Sequence, residues 1–321
     1  MRRLIAILLV LLISGLPVTA LAHGSTSGVI QGRVVNGTEG GGSVAGVEVT
    51  LITYINNVMT ETKTTRTDKD GRFQFDNVTM EHEYVVSAKY MGVDYYYPVD
   101  FKPGETTAYV EVGVCDATTS DEAIRFRMVH AIISIEKESL LVTEVLGLVN
   151  EGDRTCVGGA DGVLVFSLPE GACSFEAPPE MMADYQLLDN TKVVHLVPFP
   201  PGERQLVFSY QLVKPDTAEF TIPLKVDYPV DSLELMIAGE NIEAAVTQLA
   251  PAEPVTTDAG ERFIHFRGEN IPRGTVIKLH LSDSSRGGSP FLIIFYVIIA
   301  IAIAGIAAYL VKKRRREGAS D

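Results

Sequence analysis

The chain has no tryptophan and only three cysteines in 321 residues. So few thiols exclude a disulfide-stapled scaffold and a zinc site built from cysteine pairs. The patterns H-E-x-x-H, G-x-S-x-G and C-x-x-C do not occur, and the one glycine-rich run, residues 37–42, precedes no helix. The usual signatures of zinc hydrolases, serine hydrolases, dithiol oxidoreductases and phosphate-cradling loops are therefore missing. Positive charge is also short, with 27 Lys and Arg against 41 Asp and Glu and a net charge of −14. Setting aside Arg2, Arg3 and five cations near the C-terminus, together with Glu317 and Asp321, leaves 20 basic against 39 acidic residues. That balance argues against nucleic acid and against docking on anionic headgroups.

Long apolar runs occur only at the two ends. MRRLIAILLVLLISGLPVTALA opens with Arg2 and Arg3, continues through an apolar stretch broken at Gly15 and Pro17, and closes on Ala20 and Ala22. This pattern predicts a secretory signal peptide over residues 1–22, cleaved after Ala22. Residues 291–311 carry no charge and no proline, and at 1.5 Å per residue they span roughly 31 Å, the thickness of a hydrocarbon core. Lys312, Lys313, Arg314, Arg315 and Arg316 follow directly. A basic cluster there stays on the cytoplasmic side, so the reading is a single-pass protein with its N-terminal domains extracytoplasmic and a basic cytoplasmic tail over residues 312–321. Ala300, Ala304 and Ala308 repeat at a spacing that lets two membrane helices approach closely.

Between these ends, short alternating runs rich in Val, Ile, Phe, Tyr and Thr recur, separated by Gly, Pro, Asn and Asp. The pattern predicts an all-β chain of tandem antiparallel β-sandwiches plus the C-terminal transmembrane helix. After a short segment at 23–28, the first module covers residues 29–114, with strands at 29–36, 46–55, 58–66, 72–76, 83–90, 93–100 and 107–114. The polar run CDATTSDEA reads as a linker over 115–123. A second β-rich region, one sandwich or two, covers 124–282, with strands near 127–136, 140–149, 163–168, 192–197, 204–213, 218–227, 232–238, 244–249, 262–267 and 275–282. The Pro-rich turn VPFPPGER lies at its middle, and SDSSRGGSP supplies a flexible tether over 283–290.

The stretch TDKDGRFQF (67–75) poses a choice between a calcium loop and a tight turn. With Gly71 at the sixth position of an EF-hand loop, Arg66 falls at the first and Asn77 at the twelfth, so a cation and an amide stand where carboxylates are needed. A turn fits better: Asp68 holds the backbone locally, Gly71 takes the left-handed position, and Phe73 and Phe75 share one strand face. Taken in order, VIQGRVV (29–35), VAGVEVTL (44–51), TRTDKDGRFQF (65–75) and YVVSA (84–88) resemble the carboxypeptidase regulatory-like domain. That resemblance implies a seven-stranded, transthyretin-like β-sandwich of the carbohydrate-binding-like group, an accessory module with no catalytic residues to carry over.

Candidate site residues are few. Tyr95 and Tyr97, within YMGVDYYYPVDF, share a strand face and form a candidate glycan-stacking platform. Cys156 and Cys173 form a possible disulfide, leaving Cys115 as an odd thiol. In a simple meander the pair would lie two strands apart, about 9.6 Å, beyond bridging reach, whereas facing sheets would permit the bond. His265 and His280 are each expected to point outward, and His23 becomes the mature N-terminus, where amine and imidazole together suit copper. Asn36 and Asn77 sit in N-x-T acceptor motifs. No catalytic residue, cofactor or resident metal is expected. The sequence reads as a non-enzymatic, membrane-anchored module that binds a protein partner in the envelope. The alternative is a surface carbohydrate-binding protein; a copper carrier or an accessory subunit of an envelope enzyme is more remote.

Overall fold

The computed structural model describes residues 27–283 apart from 190, 240, 258 and 259. The expected signal peptide, His23, the apolar span 291–311 with Ala300, Ala304 and Ala308, the cations Lys312, Lys313, Arg314, Arg315 and Arg316, and all but the first residue of the tether lie outside the described residues. Within them the protein is all-β, with one turn of 3-10 helix at Met182–Asp184, and no helix is long and apolar enough to cross a membrane.

Seven strands build the first unit: β1 (Ser27–Asn36), β2 (Glu48–Ile55), β3 (Val58–Arg66), β4 (Arg72–Thr79), β5 (Glu83–Tyr90), β6 (Val93–Val99) and β7 (Thr107–Val114). They form one sheet ordered β4-β1-β7 and another ordered β3-β2-β5-β6. Alternation explains how the two share a core: Ile30, Val34, Val49, Leu51, Val86 and Val112, each on the inward phase of its strand, are fully buried. The turn into β4 forms as its residues dictate. The Asp68 Oδ1 accepts from the backbone N–H groups of Asp70 and Arg72, both at 2.8 Å, and Gly71 adopts φ +80.

The remainder comprises β8 (Ala117–Thr118), β9 (Ile124–Ile135), β10 (Ser139–Asn150), β11 (Thr155–Cys156), β12 (Leu164–Ser167), β13 (Ala172–Glu176), β14 (Tyr185–Asp189), β15 (Lys192–His195), β16 (Gly202–Val213), β17 (Glu219–Lys225), β18 (Val230–Ala238), β19 (Ile242–Val246), β20 (Ala250–Thr256), β21 (Arg262–Ile271) and β22 (Val276–Asp283). A seven-stranded sheet, β13-β16-β10-β9-β18-β21-β20, faces two three-stranded sheets, β12-β15-β14 and β17-β22-β19, across one contiguous core. Buried residues on both sides of the Pro-rich turn, such as Phe166 and Phe208, belong to that core. Pairing is not purely antiparallel as expected: β1 runs parallel to β7, β9 to β18 and β11 to β8. Each parallel pair joins strands distant in sequence, where no hairpin imposes the antiparallel direction.

Strand prolines lie where their missing N–H does least harm. Pro98 is in β6, Pro223 in β17, and Pro251 and Pro254 in β20, all edge strands. The prolines also hid β20 from the sequence reading.

The two units are joined through residue 116. The Asp116 Oδ1 accepts from Asn36 Nδ2 at 2.8 Å, Tyr90 OH at 2.8 Å and Gly42 N–H at 3.1 Å, and Arg154 lies 3.6 Å from Oδ2. The Asp116 N–H donates to Thr38 Oγ1, and Thr38 in turn donates to Asp153 O. The hydroxyls of Tyr95 and Thr155 meet at 2.6 Å beside the β8–β11 pair. The Asn36 amide, one expected glycan acceptor, is thus spent on Gly42 O, Tyr90 OH and Asp116.

These contacts, the Asn36 and Tyr90 hydrogen bonds first, hold the Asp116 carboxyl below its usual value. A depressed carboxyl stabilises the fold above the unfolded value near 3.9 and loses that effect as pH falls through the folded value. Asp116→Asn should therefore lower the melting temperature at pH 7, with the gap to wild type closing below about pH 4. Gly71→Ala should destabilise by at least ~1–2 kcal/mol in urea titration, since a left-handed L-residue is strained and its Cβ would lie 2.6 Å from Val34 O.

Candidate binding site

A concavity lies in the second unit, where β12, β17 and the turns after β11 and β21 converge. Its outer part is a polar vestibule of about 370 Å³, lined by the loop 158–162 and by Asp121, Ser167, Lys225, Asp227, Tyr228 and Arg273. The loop GGADG packs backbone against backbone: Gly159 and Gly162 exchange N–H···O bonds at 3.1 and 3.3 Å. Gly158 has φ +70, and a Cβ there would fall 1.7 Å from Gly162 O, so no side chain fits.

The charges of the rim neutralise one another. Arg273 grips Asp121 bidentately at 2.9 and 2.8 Å, with its guanidinium 5.2 Å from the centre of the Tyr228 ring. Asp227 accepts from Ser167 N–H at 2.5 Å and Ser167 Oγ at 2.8 Å, and Lys225 Nζ lies 3.2 Å from it. Burial pushes the Tyr228 phenol up to about 12, while its oxygen accepts from Val165 N–H at 3.1 Å.

Ser167, Lys225, Val226 and Asp227 also border a second, partly open pocket of about 60 Å³ whose other walls are largely apolar, among them Phe126, Ala131, Leu233, Leu235 and Ile277. Two polar side chains interrupt those walls, Glu144 of β10 and Tyr210 of β16. They stand in neighbouring strands, Glu144 opposite Phe208 and Tyr210 opposite Val142, and the Tyr210 hydroxyl donates to Glu144 Oε1 at 3.1 Å. Glu144 occupies the inward phase of β10 between buried Leu140, Val142, Leu146 and Leu148. The side chain keeps some accessible surface because it borders the cavity, yet protein surrounds it. Desolvation raises its carboxyl to about 7, the nearby Asp227 charge adds to the rise, and the Tyr210 hydrogen bond only partly opposes it.

A shallower groove of about 610 Å³ crosses the first unit beside Arg33, Arg66, Arg72 and exposed Tyr109. It is larger but more open, and its arginines are engaged by Asp70, Gly46 and Glu48. The enclosed site with a perturbed carboxyl is the stronger candidate.

The residues singled out from sequence do not converge there. Tyr95 and Tyr97 do not form an exposed platform. Tyr95 is buried with its hydroxyl on Cys115 O and Thr155, and Tyr97 packs on the first core with its hydroxyl on Gly113 O, because both take the inward phase of β6 while Tyr96 is exposed. Cys156 and Cys173 are not bridged, and Cys115 is also free. Cys156 is buried in β11 near Val163 O, whereas Cys173 is exposed in β13, an edge of the large sheet, against Gln211 O. His265 and His280 belong to different sheets and share no face. His280 contacts Thr221 Oγ1 at 2.8 Å. His265 lies 3.6 Å from Glu234, which is 3.8 Å from His130 on the other side, but no three His, Cys, Asp or Glu among the described residues can hold a metal together. Sequence reasoning missed Glu144, although a lone acid in the inward phase of SLLVTEVLGLVN was its visible signal.

No family model matches the chain, so the resemblance over residues 29–114 gains no support there, and no curated protein matches it. Among solved structures, a protein of Parabacteroides distasonis described as a candidate protease is similar over 51% of this chain and 41% of its own, well short of its full length, at 10% identity and a TM-score of 0.32. Likeness at that level carries no argument about fold or activity.

The raised carboxyl makes stability depend on pH. Between its unfolded value of 4.5 and about 7 the folded protein holds more protons, so stability falls as pH rises through that window. Glu144→Gln should remove the decline and stabilise the protein at pH 8 by up to ~3 kcal/mol, read from urea midpoints at pH 5 and pH 8. Equal midpoint differences at the two pH values would show that Glu144 stays ionised throughout.

Proposed function

We propose that the chain is a non-enzymatic, membrane-anchored extracytoplasmic protein that works by binding a protein partner of the envelope. In this reading residues 1–22 direct export, 291–311 anchor the chain, and two β-sandwich units stand outside the membrane, the first of them transthyretin-like. The observation that carries the reading is the second unit's concavity, a charge-paired polar rim that shares lining residues with a largely apolar pocket in which an anchoring side chain of a partner can be desolvated. The rim groups support binding over turnover. Asp121, Arg273, Asp227, Lys225 and Ser167 are engaged with one another and leave no nucleophile poised beside a free base. With Tyr95 and Tyr97 turned into the first core, they present no exposed face for a sugar ring.

The reading is tested by photo-crosslinking from the vestibule. A photoreactive residue at Ala160, in membranes of cells expressing the full chain, should give one discrete adduct with a second protein, lost when the reactive residue is moved to Thr62 in β3. Protease added outside those cells should remove the β units and spare a tag on the C-terminus. Adducts only with lipid or with the chain itself, or trimming of the tag alone, would overturn it.

A further inference from the structure

Glu144 is the least expected group in the molecule. A carboxyl lining a largely apolar pocket, with one hydroxyl donor and with the lining cation Lys225 already paired to Asp227, is unfavourable for folding unless something compensates when the pocket is filled. Oε1 accepts from Tyr210 at 3.1 Å, and the carboxyl keeps some accessible surface where it borders the pocket. The charged groups nearest on the packed elements, Asp227 and Lys225, are engaged with each other at the mouth. The pocket therefore presents the Glu144 carboxyl and the Tyr210 hydroxyl oxygen as acceptors among apolar walls.

We propose that this cavity is a socket for a lysine side chain of the protein partner, whose ammonium meets Glu144 and Tyr210. The inference rests on the binding reading above and names the chemistry of its anchor. Size fits: about 60 Å³ of pocket takes roughly four to six water-sized positions at ~10–15 Å³ each, and the lysine side chain beyond Cβ has four heavy atoms. Chemistry fits as well. The methylene stem suits walls such as Leu233, Leu235 and Ile277, and the compact ammonium needs few acceptors. An arginine fork, with five donors in a plane, would leave most of them unsatisfied there. The partner's backbone then lies in the vestibule, against a rim whose charges are already matched.

Protonation gives the socket a signature. Empty, its carboxyl is largely neutral below about pH 7. An arriving ammonium favours the carboxylate, so Glu144 releases its proton to solvent as the ion pair forms. Affinity should rise as pH goes from 6 to 8, because the carboxyl is by then ionised before the ligand arrives.

The test is isothermal titration of the detergent-solubilised full chain with Nα-acetyl-lysine methylamide, alongside n-butylammonium and n-butanol. Both amines are expected to bind, with release of close to one proton at pH 6 and little at pH 8, read from the dependence of the heat on buffer ionisation. Glu144→Gln, whose fold is checked by its melting temperature, should weaken them about 10- to 100-fold while leaving butanol unchanged. Equal binding of butanol and butylammonium would overturn the assignment by making the cavity merely apolar. Binding of butylammonium but not of the lysine derivative would overturn the lysine source. If no probe binds while the vestibule crosslink persists, the socket is wrong and the binding reading stands; loss of both removes the reading itself.

Discussion

The Asp116 carboxylate is the constraint on which the join between the two described units depends. It gathers an amide from β1, a phenol from β5 and a backbone N–H from the loop after β1, with an arginine of the second unit nearby. Charge-assisted bonds to one acceptor are individually stronger than neutral ones, and converging on one carboxylate makes them mutually dependent. The polar run 115–123 thereby ceases to be a slack connection. Its backbone pairs as β8 with β11, and five residues beyond Asp116 the same run supplies Asp121 to the rim of the candidate site. A single short segment thus sets the join between the units and one wall of the vestibule.

The core of the second unit shows the opposite tendency. Where Asp116 is charged and satisfied, Glu144 is enclosed by apolar side chains and held by one phenol. A low local dielectric strengthens any ion pair formed there and penalises the charge when it is alone. On the proposed reading, stability and recognition pull against each other at this position. An apolar residue would pack more easily, and its neighbours on the same phase, Leu140, Val142, Leu146 and Leu148, are apolar and buried. Local departures from packing rules of this kind concentrate at functional positions.

Much of the fold was legible in the sequence because it rests on alternation. All seven strands of the first unit and the ten expected in the second are present, and the Asp68–Gly71 turn forms as its side-chain chemistry requires. What stayed hidden has separate physical causes. β20 carries two prolines that only an edge position tolerates, and β13 and β14 are short edge strands with mostly exposed side chains. Alternation places Tyr95 and Tyr97 on a common face but does not say which face meets the core, and here the inward phase also runs through Val93 and Val99. The cysteine separation was open for the same reason, since β11 and β13 join different sheets. Glu144 was visible as a lone acid among leucines and valines, but its meaning required Tyr210, which arrives 66 residues later by the pairing of β10 with β16.

The parallel pairing of β9 with β18 completes the site in a way no local pattern announces. It sets Leu233 beside Val129 and Leu235 beside Ala131, and the small side chain of Ala131 leaves room among larger neighbours. The cavity therefore follows from a register between strands about a hundred residues apart, with Glu144 and Tyr210 reaching it from β10 and β16 on the other side of β9. Since the rim charges are matched among themselves, they favour neither sign of approaching surface strongly. Discrimination must then arise inside, where a group that fills the apolar volume without answering the carboxyl leaves it unpaired, and a charge of the wrong sign meets it unscreened. On the proposed reading, selectivity resides in one acid lining an apolar pocket and in the strand register that frames it.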